Sequence, residues 1–112
     1  MGTGTITVQQ THERIAADTS IVLLDVRTLH EWSGTSGHLK GALLIPLQEL
    51  EERMKELEHF KEKTIVAYCR SGNRSGTATR VLTANGFKAL NMVGGMLKWN
   101  EEQLPVVRET RE

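Results

Sequence analysis

The stretch Thr64-Ile65-Val66-Ala67-Tyr68-Cys69-Arg70-Ser71-Gly72-Asn73-Arg74-Ser75 decides the architecture. Its first five residues are mostly apolar and do not alternate with polar ones, which predicts a strand covered on both faces. The polar, glycine-containing segment after Tyr68 then makes a loop. From Ser75 the apolar positions Ala78, Val81 and Leu82 fall at helical spacing, and Gly86 follows as a left-handed C-terminal cap.

The same alternation extends outward in both directions. Ile21-Val22-Leu23-Leu24-Asp25-Val26 is a second apolar run, closed by a carboxylate, and Ala89 to Val93 is a third strand, interrupted by Asn91 and stopped by Gly94-Gly95. Thr5 to Val8 is a short β-branched stretch, followed by a helix from Gln9 to Ala17 with Ile15 and Ala16 as its inner residues. Leu47, Leu50, Met54 and Leu57 fall on one face of a helix that Pro46 starts, with Glu51 and Lys55 paired outside. Met96 and Trp99 line a last short helix that ends by Pro105. Strands alternating with helices predict a small α/β domain with a mainly parallel central sheet and helices on both faces. Ligands of such sheets sit beyond the carboxyl ends of the strands, where Cys69 lies.

A chain of 112 residues has apolar material for one core, so residues 1–112 are read as one domain, with the core at about 6–105 and a short polar C-terminal tail. Fourteen Lys and Arg balance fourteen Asp and Glu, so no overall field favours nucleic acid or an anionic membrane surface. Apolar runs such as Ile21 to Leu24 fall far short of the roughly 20 residues that span a bilayer. The start Met1-Gly2-Thr3-Gly4-Thr5 has no basic and apolar leader pattern, so a cytoplasmic location is expected. The single cysteine excludes an intramolecular disulfide, a multi-cysteine zinc site and a Cys-x-x-Cys pair.

Cys69 to Ser75 has the composition of an anion-binding nucleophile loop. Gly72 and Asn73 tolerate backbone angles closed to most residues, so successive N–H groups can converge on one centre. The loop ends at a helix N-terminus, and Arg70 and Arg74 add full charges with no acid within the loop. Such surroundings favour the thiolate, the nucleophilic form of cysteine. A lone cysteine at a strand end is otherwise a common structural core residue, and the flanking Arg, Gly and Asn are what turn the reading toward chemistry.

Several motifs together resemble the rhodanese homology domain across about Ile6 to Pro105. Leu24-Asp25-Val26-Arg27 with Glu31-Trp32 is similar to the family's first signature, and Gly37-His38-Leu39-Lys40-Gly41-Ala42 with Ile45-Pro46 to its second. Cys69 to Ser75 resembles the active-site loop, and Gly94-Gly95 with Trp99 the closing motif. The resemblance implies a thiosulfate sulfurtransferase in which Cys69 is catalytic and carries a persulfide. It also implies that Arg70, Ser71, Gly72, Asn73, Arg74 and Ser75 bind the substrate. Its partners would be a small anionic sulfur donor and a thiophilic acceptor such as cyanide or a thiol, with a sulfur-relay protein as a further partner, and no cofactor.

In related folds a loop longer by one residue, with Arg six positions after Cys, serves phosphatases and arsenate reductases. Here Arg74 stands five after Cys69, as in the sulfurtransferases of the family. The link Ser33-Gly34-Thr35-Ser36 is longer than the family's usual one, and Lys40 stands where the family often has Pro.

His38 is read as a packing residue in preference to a base for Cys69, and Asp25 with Arg27 as a mutual or loop-anchoring ion pair. His12, His30 and His59 have no spacing that makes a metal-ligand set, and no metal is expected. The acidic stretch Glu49, Glu51, Glu52, Glu56 and Glu58 reads as the solvated face of a helix, and Trp32 and Trp99 as packing residues. A free enzyme and a relay module that passes sulfur by protein contact use the same persulfide, and both readings stay open here.

Overall fold

The computed structural model describes residues 4–108, in which five parallel strands form one sheet in the spatial order β1, β5, β4, β2, β3. The strands are β1 (Thr5–Ile6), β2 (Ile21–Asp25), β3 (Leu43–Leu44), β4 (Thr64–Tyr68) and β5 (Lys88–Met92). The helices are α1 (Val8–Ala17), α2 (Leu29–Trp32), α3 (Leu50–Arg53), α4 (Asn73–Ala84) and α5 (Gly95–Glu101), with 3-10 turns at Leu47–Glu49 and Met54–Phe60. The parallel α/β architecture expected from the alternating segments is the one observed.

β4 lies at the centre of the sheet, paired with β2 from Ile21↔Thr64 to Asp25↔Tyr68 and with β5 from Thr64↔Lys88 to Ala67↔Asn91. Its alternate side chains therefore enter two cores. Ile65, Ala67 and Cys69 join Leu24, Leu50, Leu57, Ala78 and Leu82 on one face. Val66 and Tyr68 join Ile6, Leu23, Met92, Met96 and Trp99 on the other. The unbroken apolar character of β4 follows from this double burial.

Several boundaries differ from the sequence expectation. Val8 opens α1 instead of closing β1, because the Thr7 hydroxyl caps the Gln10 N–H at 3.0 Å and the Gln10 side chain returns the bond to the Thr7 N–H, also at 3.0 Å. The buried residues of α1 are Val8 and Thr11, while Ile15 is half-buried and Ala16 faces solvent. The expected helix over Leu47 to Leu57 is a short α turn flanked by 3-10 turns. Leu47 and Leu50, like Met54 and Leu57, are three apart, the spacing at which 3-10 side chains eclipse. The Glu51–Lys55 pairing gives way to Arg53, which bonds Glu49 and Glu56 at 2.9 Å each.

β5 ends at Met92, one residue short of the expectation, and Gly94-Gly95 opens α5, which ends at Glu101. Gly86 has φ 89°, the left-handed geometry expected after α4. Beyond Pro105, Val107 makes an antiparallel bridge with His38 and Arg108 Nε donates to the Thr35 carbonyl at 2.6 Å. The packed structure thus continues to Arg108, while the rest of the expected tail and Met1 to Thr3 lie outside the described residues. Among the described residues no helix is long and apolar enough to cross a membrane.

Candidate active site

Cys69 follows the last residue of β4, buried on the face that α4 covers. Gly72 makes the turn from strand to helix with φ 115°, a conformation that strains any residue with a Cβ, and its N–H approaches Cys69 Sγ at 3.1 Å. Asn73, expected to share that unusual conformation, is instead the first residue of α4, so Gly72 alone makes the turn. Ser75 lies in the first turn of α4, where backbone N–H groups have no carbonyl one turn back. Its N–H and its hydroxyl each lie 3.4 Å from Cys69 Sγ.

Burial pushes the Cys69 thiol up, and the hydrogen bonds that the thiolate can accept from the Ser75 hydroxyl and from the backbone N–H groups of Ser75, Gly72 and Ser71 outweigh it, holding the thiol below the ordinary range. The leading stabilisers of the thiolate are therefore short-range donors, with the arginines named from the sequence contributing less. Arg70, Ser71 and Asn73 are exposed at the lip of the loop.

Arg74 is directed away from a purely solvated position. Its Nη1 and Nη2 donate to the two carboxylate oxygens of Glu31, each at 2.8 Å. Glu31 also accepts the Thr28 N–H at 3.0 Å in a capping box that starts α2, so one carboxylate ties α2 to the first turn of α4. The Arg74 guanidinium and the Thr28 donors hold the Glu31 carboxyl down to about 2 against the opposing effect of burial. The loop contains no acid, as its sequence says, but α2 brings one to it.

The other side of the loop is held by α5. Met96 N–H donates to the Cys69 carbonyl at 2.9 Å and Leu97 N–H to the Arg70 carbonyl at 3.0 Å. That approach requires Gly95, which has φ 56° and whose Cβ, if present, would run into both carbonyls. Asn91 of β5 donates from Nδ2 to the Gly72 carbonyl at 3.2 Å and accepts the Ser75 hydroxyl at 2.6 Å. A cavity of about 420 Å³ is walled by Gly4, Gly76, Thr79, Arg80 and Asn91, and Cys69 is not on its wall.

His38 does not approach Cys69 by any hydrogen bond. Its ring stacks on Trp32 at 3.6 Å and its Nδ1 pairs with the Trp32 carbonyl at 3.0 Å. Asp25 and Arg27 form a buried ion pair at 2.7 Å, and Arg27 also reaches Ser36 Oγ and the Gly37 carbonyl. The longer link over Ser33 to Ser36 is used as an anchor, since the Ser36 carbonyl also accepts from Asn100 at 3.1 Å. Trp99 is buried and donates to the Pro105 carbonyl at 2.9 Å.

Three residues of this arrangement were read from the sequence for other reasons. In the sequence Glu31 stands out only within a signature, although Thr28-x-x-Glu31 is a capping-box spacing; Asn91 is an interruption of a strand; Gly95 is a strand stop and part of the closing motif.

Residues 7–102 match the family described as Rhodanese-like domain. A sulfurtransferase of Allochromatium vinosum is 35% identical over 96 residues, which cover 85% of this chain and 86% of that protein. YrkF of Bacillus subtilis, proposed by its name to be a sulfur carrier, is 37% identical over 95 residues, and these span 84% of this chain but 49% of YrkF. The crystal structure of a rhodanese-related protein from Thermoplasma volcanium superposes with a TM-score of 0.85 at 33% identity, covering 95% of this chain and 99% of that one.

Proposed function

This chain belongs to the rhodanese-like domain family, and on that premise we propose that it is a thiosulfate sulfurtransferase that carries sulfane sulfur as a persulfide on Cys69. The observation that carries the reading is the buried Cys69 Sγ at the end of the central strand, met by the N–H groups of Gly72 and Ser75 and held below the usual thiol range. Sulfur transfer is the activity named for a relative at 35% identity; thiosulfate as donor and a thiophilic acceptor are what the family resemblance implies, and a cationic loop suits an anionic donor.

In the first half-reaction the Cys69 thiolate attacks the outer sulfur of thiosulfate. The sulfur–sulfur bond of the donor breaks, sulfite leaves with the electron pair, and the outer sulfur stays on Cys69 as an anionic persulfide. In the second, cyanide or a thiolate attacks that outer sulfur and Cys69 departs as the thiolate, so no external oxidant or reductant is used. The exposed Arg70 meets the incoming dianion, Arg74 neutralises the Glu31 carboxylate that would otherwise repel it, and Ser71, Gly72, Asn73 and Ser75 supply donors around the transferred sulfur. We read residues 1–112 as one such domain.

A second reading, a relay that hands sulfur to a protein, is favoured by exposed apolar side chains on the segments that hold the loop. Leu29 of α2 is 66% exposed, Leu97 of α5 49%, and Val93 between β5 and α5 40%. Steady-state formation of thiocyanate and sulfite from thiosulfate and cyanide tests the first reading, with Cys69→Ser as the control. Turnover that needs no partner supports the free enzyme. Turnover that stays at the level of the Cys69→Ser control until a thiol-bearing protein is added supports the relay.

A further inference from the structure

Asn91 lies in β5 with Thr5 of β1 on one side and Ala67 of β4 on the other, directly beneath the loop. Its amide has one orientation. The Gly72 carbonyl can only accept, so the nitrogen faces it at 3.2 Å and the amide oxygen faces Ser75 Oγ at 2.6 Å. An amide oxygen carries no proton, so the Ser75 hydroxyl must donate to Asn91. That hydroxyl has a single proton, yet its oxygen also stands 3.4 Å from Cys69 Sγ. With the proton turned to Asn91, Ser75 offers the sulfur a lone pair, which suits a thiol and opposes a thiolate. The N–H groups of Gly72 and Ser75 have no such choice and point at the sulfur in either state.

We propose that Asn91 is a positioning residue for the chemistry of Cys69: it holds the Ser75 hydroxyl proton away from the sulfur at rest and yields it when negative charge collects on Sγ. The proposal rests on Cys69 being the nucleophile. Charge collects on Sγ twice in the reaction, as the thiolate before attack and as the departing thiolate when the persulfide gives up its outer sulfur. On each occasion the hydroxyl exchanges a neutral bond to Asn91 for a charge-assisted bond to sulfur, a rotation about one bond with no movement of the backbone. Ser75 thus responds to charge, and Asn91 sets how readily.

The charged groups around Cys69 leave this contribution separable. α4 presents Arg74, paired with Glu31 of α2, the loop itself carries Arg70, β2 ends in Asp25 paired with Arg27, and α5 contributes backbone N–H groups to the loop carbonyls. Asn91 of β5 is neutral, so its replacement changes no charge.

The test is an ultraviolet titration of the thiolate in the full chain, which has one cysteine and needs no sulfur donor. Asn91→Leu removes the acceptor, frees the hydroxyl for sulfur, and is expected to lower the midpoint by about half a unit to one unit. A loop merely slackened by the loss of the bond to Gly72 would move the midpoint upward, toward a free thiol. Ser75→Ala is expected to raise the midpoint, and Asn91→Leu added to Ser75→Ala to bring no fall. An unchanged or raised midpoint in Asn91→Leu, or a fall that persists without the Ser75 hydroxyl, overturns the proposal. Circular dichroism establishes that each variant is folded, and Asn91→Ala is judged by the same sign if the leucine variant is not. A failure to form a persulfide would refute the sulfurtransferase reading and leave this titration standing, and the reverse also holds.

Discussion

Replacing Arg74 by Ala removes a guanidinium and leaves its partner carboxylate behind. Glu31 and Arg74 are joined by two contacts of 2.8 Å, with side chains 25% and 36% exposed, so in the native site their charges largely cancel. Without Arg74 the Glu31 charge faces a loop that must admit a dianion. A unit charge acting on a dianion about 8 Å away, at an effective dielectric constant of about 40, alters the interaction by about 2 kcal/mol, or roughly 30-fold in rate. Attack on thiosulfate is therefore expected to slow by about that factor. Discharge of a persulfide already formed on Cys69 to a neutral phosphine should slow far less, since no second anion approaches. The double variant Glu31→Gln/Arg74→Ala returns the pair to zero charge and keeps an amide oxygen for the α2 capping box, so most of the lost rate should come back. Rapid-mixing measurements of the separate half-reactions decide the matter. Equal slowing of both, or no recovery in the double variant, would mean that Arg74 only clamps the loop to α2 and that its electrostatic role is mistaken.

The Glu31 carboxyl is held down to about 2 from an ordinary value of 4.5, so its contribution to stability is complete above pH 4.5 and is lost as pH falls through about 2. Because Arg74 is partly exposed, that contribution is discounted to about 1–2 kcal/mol, and chemical denaturation across that window should show a slope that Glu31→Gln makes shallower. Gly95→Ala places a Cβ against the Cys69 and Arg70 carbonyls at a positive φ and should cost about 2–4 kcal/mol in denaturant unfolding, together with most of the Cys69 reactivity. Cys69 is held below the ordinary thiol value of 9.0, so alkylation by iodoacetamide should reach half its limiting rate at a pH below that, whereas a midpoint at or above it would contradict the hydrogen-bond assignment. Release of phosphate from an aryl phosphate should be negligible, because Arg74 stands five residues after Cys69 and the nearby acid, Glu31, is committed to Arg74 as a carboxylate; robust Cys69-dependent release would refute this.

The sheet was legible because β2 and β4 are doubly buried, and their unbroken apolar runs leave a strong local signal. β3 left none: Leu43–Leu44 is a two-residue edge strand whose place depends on its pairing with Leu24 and Asp25. The break in the helix over residues 47–60 leaves no local signal, because apolar residues three apart satisfy a helical pattern and a 3-10 pattern alike. In the loop, the glycine turn and the position of Cys69 could be read from neighbouring residues, since strand, turn and helix follow one another directly. The conformation of Asn73 could not, because tolerance of a left-handed angle is not a demand for one. The supports from elsewhere in the chain were the hardest to see. Glu31 reaches Arg74 across 43 positions and Asn91 reaches Ser75 across 16, contacts that the stacking of α2, α4 and β5 creates and that no local spacing encodes.

Arg70, Gly72 and Ser75 all derive their proposed roles from one covalent intermediate, so the intermediate itself is the most direct object of measurement. Intact-protein mass spectrometry after brief exposure to thiosulfate and removal of excess donor reports it without reference to any acceptor. The expected result is a gain of one sulfur atom per chain, lost on addition of cyanide with formation of thiocyanate, and absent from Cys69→Ala. A native chain that gains no sulfur from thiosulfate, or a Cys69→Ala chain that gains the same cyanide-labile atom, would contradict the assignment of Cys69 as the carrier.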